Sequence, residues 1–334
     1  MGKTPTPRHW VGFDLGGTKM LAQVFTDDFK SLGRERKKTR PQHAAASGLA
    51  RISETIRGAI REAGLTAEDI SGIGIGCPGP VDMDRGVLLS PPNLAWDTVD
   101  VGAALTKEFG CPVAVMNDVD AGVYGEYRFG SAKDSFCAVG VFPGTGIGGG
   151  CVYRGEILRG RSSSCMEIGH CHVVPNGPVC GCGQRGCLES VASRHAIAAA
   201  AARAALRGEA PHLLAETGTD IANIRSGALA EAIAHGDTVV ADIVREAARL
   251  IGIAVSTVVN MLAADTIILG GGLVEAMPEL FTTNVDRAAR KRVMPAYRDA
   301  FQVIAAALGD DAAAIGAAAW ARHVIHEKSS KGSG

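Results

Sequence analysis

Three cysteines within eight residues, Cys180-Gly-Cys182-Gly-Gln-Arg-Gly-Cys187, form the densest knot of chemistry in the chain. Zn²⁺ favours a tetrahedral set of thiolates and imidazoles, and the interspersed glycines let the backbone wrap round such an ion. The fourth ligand has to come from nearby, and His170, Cys171 and His172 are the candidates. If 170–174 is a strand, His170 and His172 share a face and Cys171 points away. Free cysteines in a loop are the bland alternative, but three exposed thiols are a liability to a protein.

Two glycine turns offer a different chemistry. Asp14-Leu15-Gly16-Gly17-Thr18-Lys19 sets a carboxylate, two glycines, a hydroxyl and a lysine in one tight turn. Glycines let backbone N–H groups approach an anion closely; Thr18 and Lys19 can add a donor and a cation, and Asp14 can hold Mg²⁺ through water. Gly144-Thr145-Gly146-Ile147-Gly148-Gly149-Gly150 carries five glycines in seven residues, more than a hairpin needs. The excess points to close approach of backbone to phosphate. It is not a Walker A loop, lacking Gly-Lys-Ser/Thr, and it opens no helix as a Rossmann turn would. Leu269-Gly270-Gly271-Gly272 ends a strand, and Gly271 and Gly272 fit an open shelf for adenosine.

Carboxylates complete the inventory. Moving a phosphoryl group to a hydroxyl needs a base at that hydroxyl. Asp118 lies at the carboxyl end of a strand, where α/β folds bind ligands. Its alternative role is capping the next helix, which Asp120 can do instead. Glu167 and Glu189 bracket the cysteine loop and suit adjacent sugar hydroxyls.

The elements that must hold these groups follow from periodicity. Residues 10–24 and 137–153 each read as strand, glycine turn, strand, which suggests two related lobes. Helical spacing runs over 47–64, about 101–109 and 238–262, with a helix beginning near Asp120. Short strands are expected at ISGIGIG, PVAVM, TIILG and QVIAAAL, a hairpin at Asp84-Arg85-Gly86, and a last helix that returns to the first lobe. Strands alternating with helices call for α/β architecture. We expect a smaller N-terminal lobe of residues 1–118 plus 300–330, and a larger lobe, 119–299, carrying the zinc loop.

Bulk composition narrows the partners. The chain has 334 residues, 46% hydrophobic and 21% charged, with a formal net charge of -1. That balance fits a folded protein and argues against nucleic acid or an anionic membrane as main partner. Aromatics at 5% are too few for single-strand stacking platforms. No apolar run reaches the roughly 18 residues of a membrane span, and the N-terminus lacks a signal-peptide core. Nine cysteines, an odd number, then suggest a cytoplasmic chain with metal or free thiols rather than disulfides.

Taken together these residues resemble the ROK family of repressors and sugar kinases, within the actin-like ATPase superfamily. DLGGTK is similar to the family's first phosphate motif and GTGIGGG to its second. MND at 116–118 resembles the segment of the catalytic aspartate, and EIGH with CGCGQRGCLE resembles the family signature. The resemblance spans the chain from Asp14 to the final helix. It implies two actin-like, hexokinase-like (ribonuclease H-like) α/β lobes with an interlobe cleft. It implies ATP with Mg²⁺, structural zinc on His170, Cys180, Cys182 and Cys187, and Asp118 as base. Sugar contacts are implied for Asn93, Asn117, Asp118, Glu167, His170 and Glu189. Nucleotide contacts are expected for Asp14, Gly16, Gly17, Thr18, Lys19, Gly144, Thr145, Gly146, Gly148, Gly149, Gly271 and Gly272. Glucose, phosphorylated on its 6-hydroxyl, is the first-choice substrate, with fructose, mannose, allose and N-acetylhexosamines as alternatives. A homodimer or higher homo-oligomer and a place in glycolysis are expected. Polyphosphate is an alternative donor, and a non-catalytic sugar sensor an alternative role. A repressor would need a DNA-binding helix-turn-helix before Trp10, which only nine residues precede. Two positions depart from the family pattern. Cys165-Met166 stand where a small residue and glycine are usual, which can reshape the pocket edge. Phe142-Pro143 replace a small or β-branched residue, with little effect expected.

Overall fold

The computed structural model describes residues 8–17, 19–39, 45–91, 94, 96–161 and 165–331. In chain order, β1 (His9–Leu15), β2 (Lys19–Thr26) and β3 (Ser31–Lys38) form a meander, followed by α1 (Ala45–Glu62) and β4 (Ile70–Cys77). Short strands β5 (Val81–Asp82), β6 (Val87–Leu88) and β7 (Val99–Asp100) lead to α2 (Val101–Phe109), β8 (Val113–Asn117) and α3 (Asp118–Phe129). The hairpin β9 (Cys137–Pro143) and β10 (Ile147–Tyr153) comes next, then the two-residue β11 (Glu156–Ile157). Helices α4 (Leu188–Ala192), α5 (Arg194–Leu206), α6 (Pro211–Thr217), α7 (Ser226–Ala234) and α8 (Thr238–Leu262) follow. The chain ends with β12 (Thr266–Leu269), α9 (Gly272–Ala276), α10 (Pro278–Arg290), β13 (Gln302–Ala305) and α11 (Ala312–Lys331).

Two compact units result. The first holds 1–134, 155–165 and 310–334, and the second 135–154 and 166–309. The division differs from the sequence boundaries at 118 and 300. Helix α3 stays with the first unit because it packs on α11: a Cβ on Gly125 would lie 2.3 Å from Ala312 O. Residues 155–165 return to the first unit, where Arg159 meets Asp84 at 2.7 Å and Glu156 meets His323 at 2.7 Å. Each crossing between units carries a left-handed residue at or beside it: Asp134 (φ 68°), Arg154 (53°), Met166 (66°) and Gly309 (53°).

The first unit's sheet has the order β3-β2-β1-β4-β8. Strands β1, β4 and β8 are parallel, so their carboxyl ends emerge together. Helix α11 lies very close to this sheet, since a Cβ on Gly12 would sit 1.8 Å from Ala314 O and one on Gly74 1.8 Å from Ala317 O. Only glycine opposite an alanine-rich helix allows that approach. In the second unit β10, β9, β12 and β13 adjoin in that order, β9, β12 and β13 parallel. Helix α8 matches the predicted 238–262 span residue for residue. Among the described residues no helix is long and apolar enough to cross a membrane.

Candidate active site

In the first unit, parallel register brings two carboxylates together. Asp14 on β1 pairs across with Gly76 on β4, and Gly76 pairs with Met116 on β8, two residues before Asp118. Burial pushes the Asp14 carboxyl up to about 7; the charges of Asp118 and Asp310 add to the rise and Lys19 opposes it. Lys19 donates to Asp310 and, with Arg36, holds that carboxyl below the usual range. The half-buried Asp14 carboxyl thus has two acidic neighbours and one cationic one, and its protonated form is favoured. Gly16 and Gly17 turn the chain beside it, and Thr39 Oγ1 donates to Gly16 O at 2.7 Å. Thr18 and Asn93 lie outside the described residues.

Asp118 is the first residue of α3, and its carboxylate accepts the Val119 N–H at 2.9 Å. The helix begins two residues earlier than the expected Asp120, and neither Asp118 nor Asp120 is its cap. Asn117 is: its Oδ1 accepts from Val119 N (2.8 Å) and Asp120 N (3.2 Å), while Nδ2 donates to Gly79 O (3.1 Å). The Asn117 side chain therefore caps α3, and Asp118, at the strand end, shares the Val119 N–H with it. Burial, reinforced by Asp118 and Asp14, raises the Cys77 thiol far above its ordinary value.

In the second unit the turn between β9 and β10 is suspended from residues 189–194. Glu189 Oε2 accepts Ile147 N–H at 3.0 Å, Arg194 N–H donates to Gly144 O at 2.9 Å, and the Arg194 guanidinium donates to Thr145 Oγ1 at 3.1 Å. A Cβ on Gly146 would lie 2.3 Å from Glu189 Oε2, and one on Gly149 would lie 2.4 Å from Met166 O. Two of the glycines thus make room for protein atoms, a role the count alone could not separate from phosphate approach. Gly148 pairs with Phe142 across the hairpin. Gly271 (φ 83°) sits 3.1 Å, by a hypothetical Cβ, from Pro143 O, and Gly272 opens α9. The Phe142 ring fills the space left by Gly270.

The cysteine loop draws its three thiols towards His170. Residues 168–170 form a 3-10 turn rather than a strand, which separates the two histidines. The donor atoms of His170, Cys180, Cys182 and Cys187 all lie within 4.8 Å of one another, a group that includes neither His172 nor Cys171. His170 Nδ1 is 3.6 Å from Cys180 Sγ, and Cys182 Sγ is 3.7 Å from Cys187 Sγ. Tetrahedral zinc, with Zn–S about 2.3 Å and Zn–N about 2.0–2.1 Å, spaces two sulfurs about 3.8 Å apart and sulfur from nitrogen about 3.6 Å. The donor set and its spacing fit that ion. The amide at Gln184 lowers the Cys182 thiol, whereas burial raises Cys180 and pushes Cys187 up to about 12. Glu189 Oε1 lies 3.8 Å from Cys180 Sγ, so His170, Cys180 and Glu189 are contiguous. Glu167 is exposed at the start of the same 3-10 turn. The role of Arg194 had no signal in the sequence beyond its place after Ser193, the cap of α5.

The chain matches the model of the ROK family over residues 10–324. A glucokinase of Thermotoga maritima is 32% identical over 309 residues, covering 92% of this chain and 95% of that protein. The structure of a ROK family glucokinase from Streptomyces griseus, in complex with glucose and AMPPNP, superposes with a TM-score of 0.81 at 33% identity, covering 94% of this chain and 99% of the other. A putative xylose repressor of Caldicellulosiruptor sp. is 31% identical over 262 residues, 78% of this chain and 65% of the repressor.

Proposed function

The chain belongs to the ROK family, and from that premise we propose that it is an ATP-dependent hexose kinase whose preferred substrate is glucose. The observation that carries the reading is the pair Asp14 and Asp118 at the carboxyl ends of β1 and β8, which flank β4, where burial and then the charge of Asp118 raise the Asp14 carboxyl to about 7. The similar glucokinases support glucose as substrate.

In the proposed reaction Asp118 accepts the proton of the sugar 6-hydroxyl as its oxygen attacks the γ-phosphorus of ATP. The bond from that phosphorus to the β-phosphate bridging oxygen breaks, giving glucose 6-phosphate and ADP. In the second unit the amides of Thr145 and Gly146 bind phosphate oxygens, Ile147 N–H being held by Glu189; in the first unit Gly16, Gly17 and Lys19 are the proposed phosphate contacts. Gly271 and Gly272 leave the adenosine an open shelf. Asp14 would hold Mg²⁺ through water, where the ion neutralises phosphate charge. His170, Cys180, Cys182 and Cys187 would hold a structural zinc, four protein ligands leaving no open position for chemistry. His170 Nε2, on the ring edge opposite Nδ1, is then available to a sugar hydroxyl beside Glu167 and Glu189.

Coupled ADP release across a panel of hexoses tests the reading, with glucose expected to give the highest kcat/KM. Sugar binding with no hexose phosphate formed from any hexose, using ATP or polyphosphate, would favour instead a sugar-sensing regulator, the reading that the xylose-repressor match supports.

A further inference from the structure

We infer that Glu189 is a positioning residue that ties the nucleotide turn to the cysteine cluster, so that order in the cluster sets nucleotide affinity. The inference rests on the kinase reading of the 144–149 turn and extends it.

A glycine-rich turn has almost no side chains with which to hold its own shape. Besides the Gly144 N–H bond to Gly146 O within it at 2.8 Å, its order here comes from outside. The Ile147 amide, the Gly144 carbonyl and the Thr145 hydroxyl are each bonded by Glu189 or Arg194. Those two residues stand on α4 and at the start of α5. Helix α4 has five residues, too few to be stable by itself. Its N-cap position is Cys187, a member of the cluster, and Cys187 O accepts Ser190 N–H at 3.1 Å. The backbone of Leu188 is also bonded to Cys171 O at 2.8 Å, on the other arm of the cluster loop. The path from cluster to turn is therefore Cys187, α4, Glu189, Ile147, with each step a covalent link or a hydrogen bond.

The two oxygens of Glu189 divide the work. Oε2 stays on Ile147 N–H. Oε1 faces Cys180 Sγ at 3.8 Å. As a metal ligand Cys180 is a thiolate with no proton to donate, so Oε1 is left to accept from a sugar hydroxyl. One carboxylate then touches the sugar, the turn and the cluster.

The test is calorimetric binding of a non-hydrolysable ATP analogue with Mg²⁺ and no sugar, alongside hydrogen exchange of the Ile147 amide. Cys182→Ser and Glu189→Ala should each weaken binding about tenfold and deprotect Ile147, the loss of one charge-assisted support. The double variant should be no worse than about tenfold, because both changes remove the same support. Glu189→Gln should restore affinity to within about threefold, since its carbonyl still accepts from Ile147. Should Cys182→Ser fail to fold, withdrawing metal from the folded wild-type protein with a chelator gives the same comparison. Unchanged affinity and protection in Cys182→Ser or the chelated protein would overturn the inference, as would losses that multiply to about a hundredfold in the double variant. Wild-type protein that binds no nucleotide would refute the kinase reading instead.

Discussion

Replacing Asp14 by asparagine should make the ligand-free protein more stable while destroying its use of nucleotide. The folded chain holds the Asp14 proton far more tightly than the unfolded chain, about 7 against 3.8. Below pH 4 both states are protonated and nothing is lost. As pH rises from 4 to 7 the unfolded chain ionises first, so stability falls across that window and the loss is complete above 7. At about 1.4 kcal/mol per pH unit the full difference is roughly 4 kcal/mol, and partial contact with solvent lowers the expectation to about 2–4. Asparagine has nearly the same shape and never ionises. Its advantage over aspartate should therefore widen by about 2 kcal/mol between pH 5 and pH 8, in buffer without magnesium or nucleotide. Urea unfolding followed by tryptophan fluorescence is the assay. All three tryptophans, Trp10, Trp96 and Trp320, are buried in the unit that holds Asp14, so the signal reports on that unit. An advantage that is the same at both pH values, or reversed at pH 8, would refute the burial argument.

Three further outcomes follow from the same geometry. Asp118→Asn should lower kcat by about 10²–10⁴-fold in the coupled assay while leaving the urea midpoint unchanged or higher, because Asn117 caps α3 and one repulsive charge beside Asp14 is gone. Gly146→Val should weaken ATP binding by more than about tenfold in calorimetry, since its side chain must displace the Glu189 carboxylate from Ile147. At Met166, held at φ 66°, glycine should be more stable than alanine by about 0.5–1 kcal/mol in thermal unfolding, the reverse of the usual order.

What could be read from the sequence was local or periodic. The three cysteines lie so close together that any folding of their loop brings them together, and α2 and α8 carry helical spacing from end to end. The long-range facts were not readable in this way. The choice of His170 over His172 depends on a 3-10 turn, whose three residues carry no periodic signal. The duty of Asn117 as cap was hidden because Asp118 and Asp120 are equally good caps by residue type, and only the backbone start of α3 decides among them. The unit boundary at 134 reflects the packing of α3 on α11, nearly two hundred residues apart in sequence.

Glycine shows where composition stops informing. In the 144–150 turn a surplus of glycine was reason enough to expect a ligand, yet Gly146 yields its space to Glu189 and Gly149 to Met166. The two explanations converge rather than compete. A turn stripped of side chains to expose its amides to phosphate must be held by neighbours, and those neighbours must come as close as glycine alone allows. The same glycines that open one side of the turn to an anion admit Glu189 and the 166–168 segment on another. Hence the acid at 189, read from sequence as a sugar ligand, is placed first of all by the turn it supports.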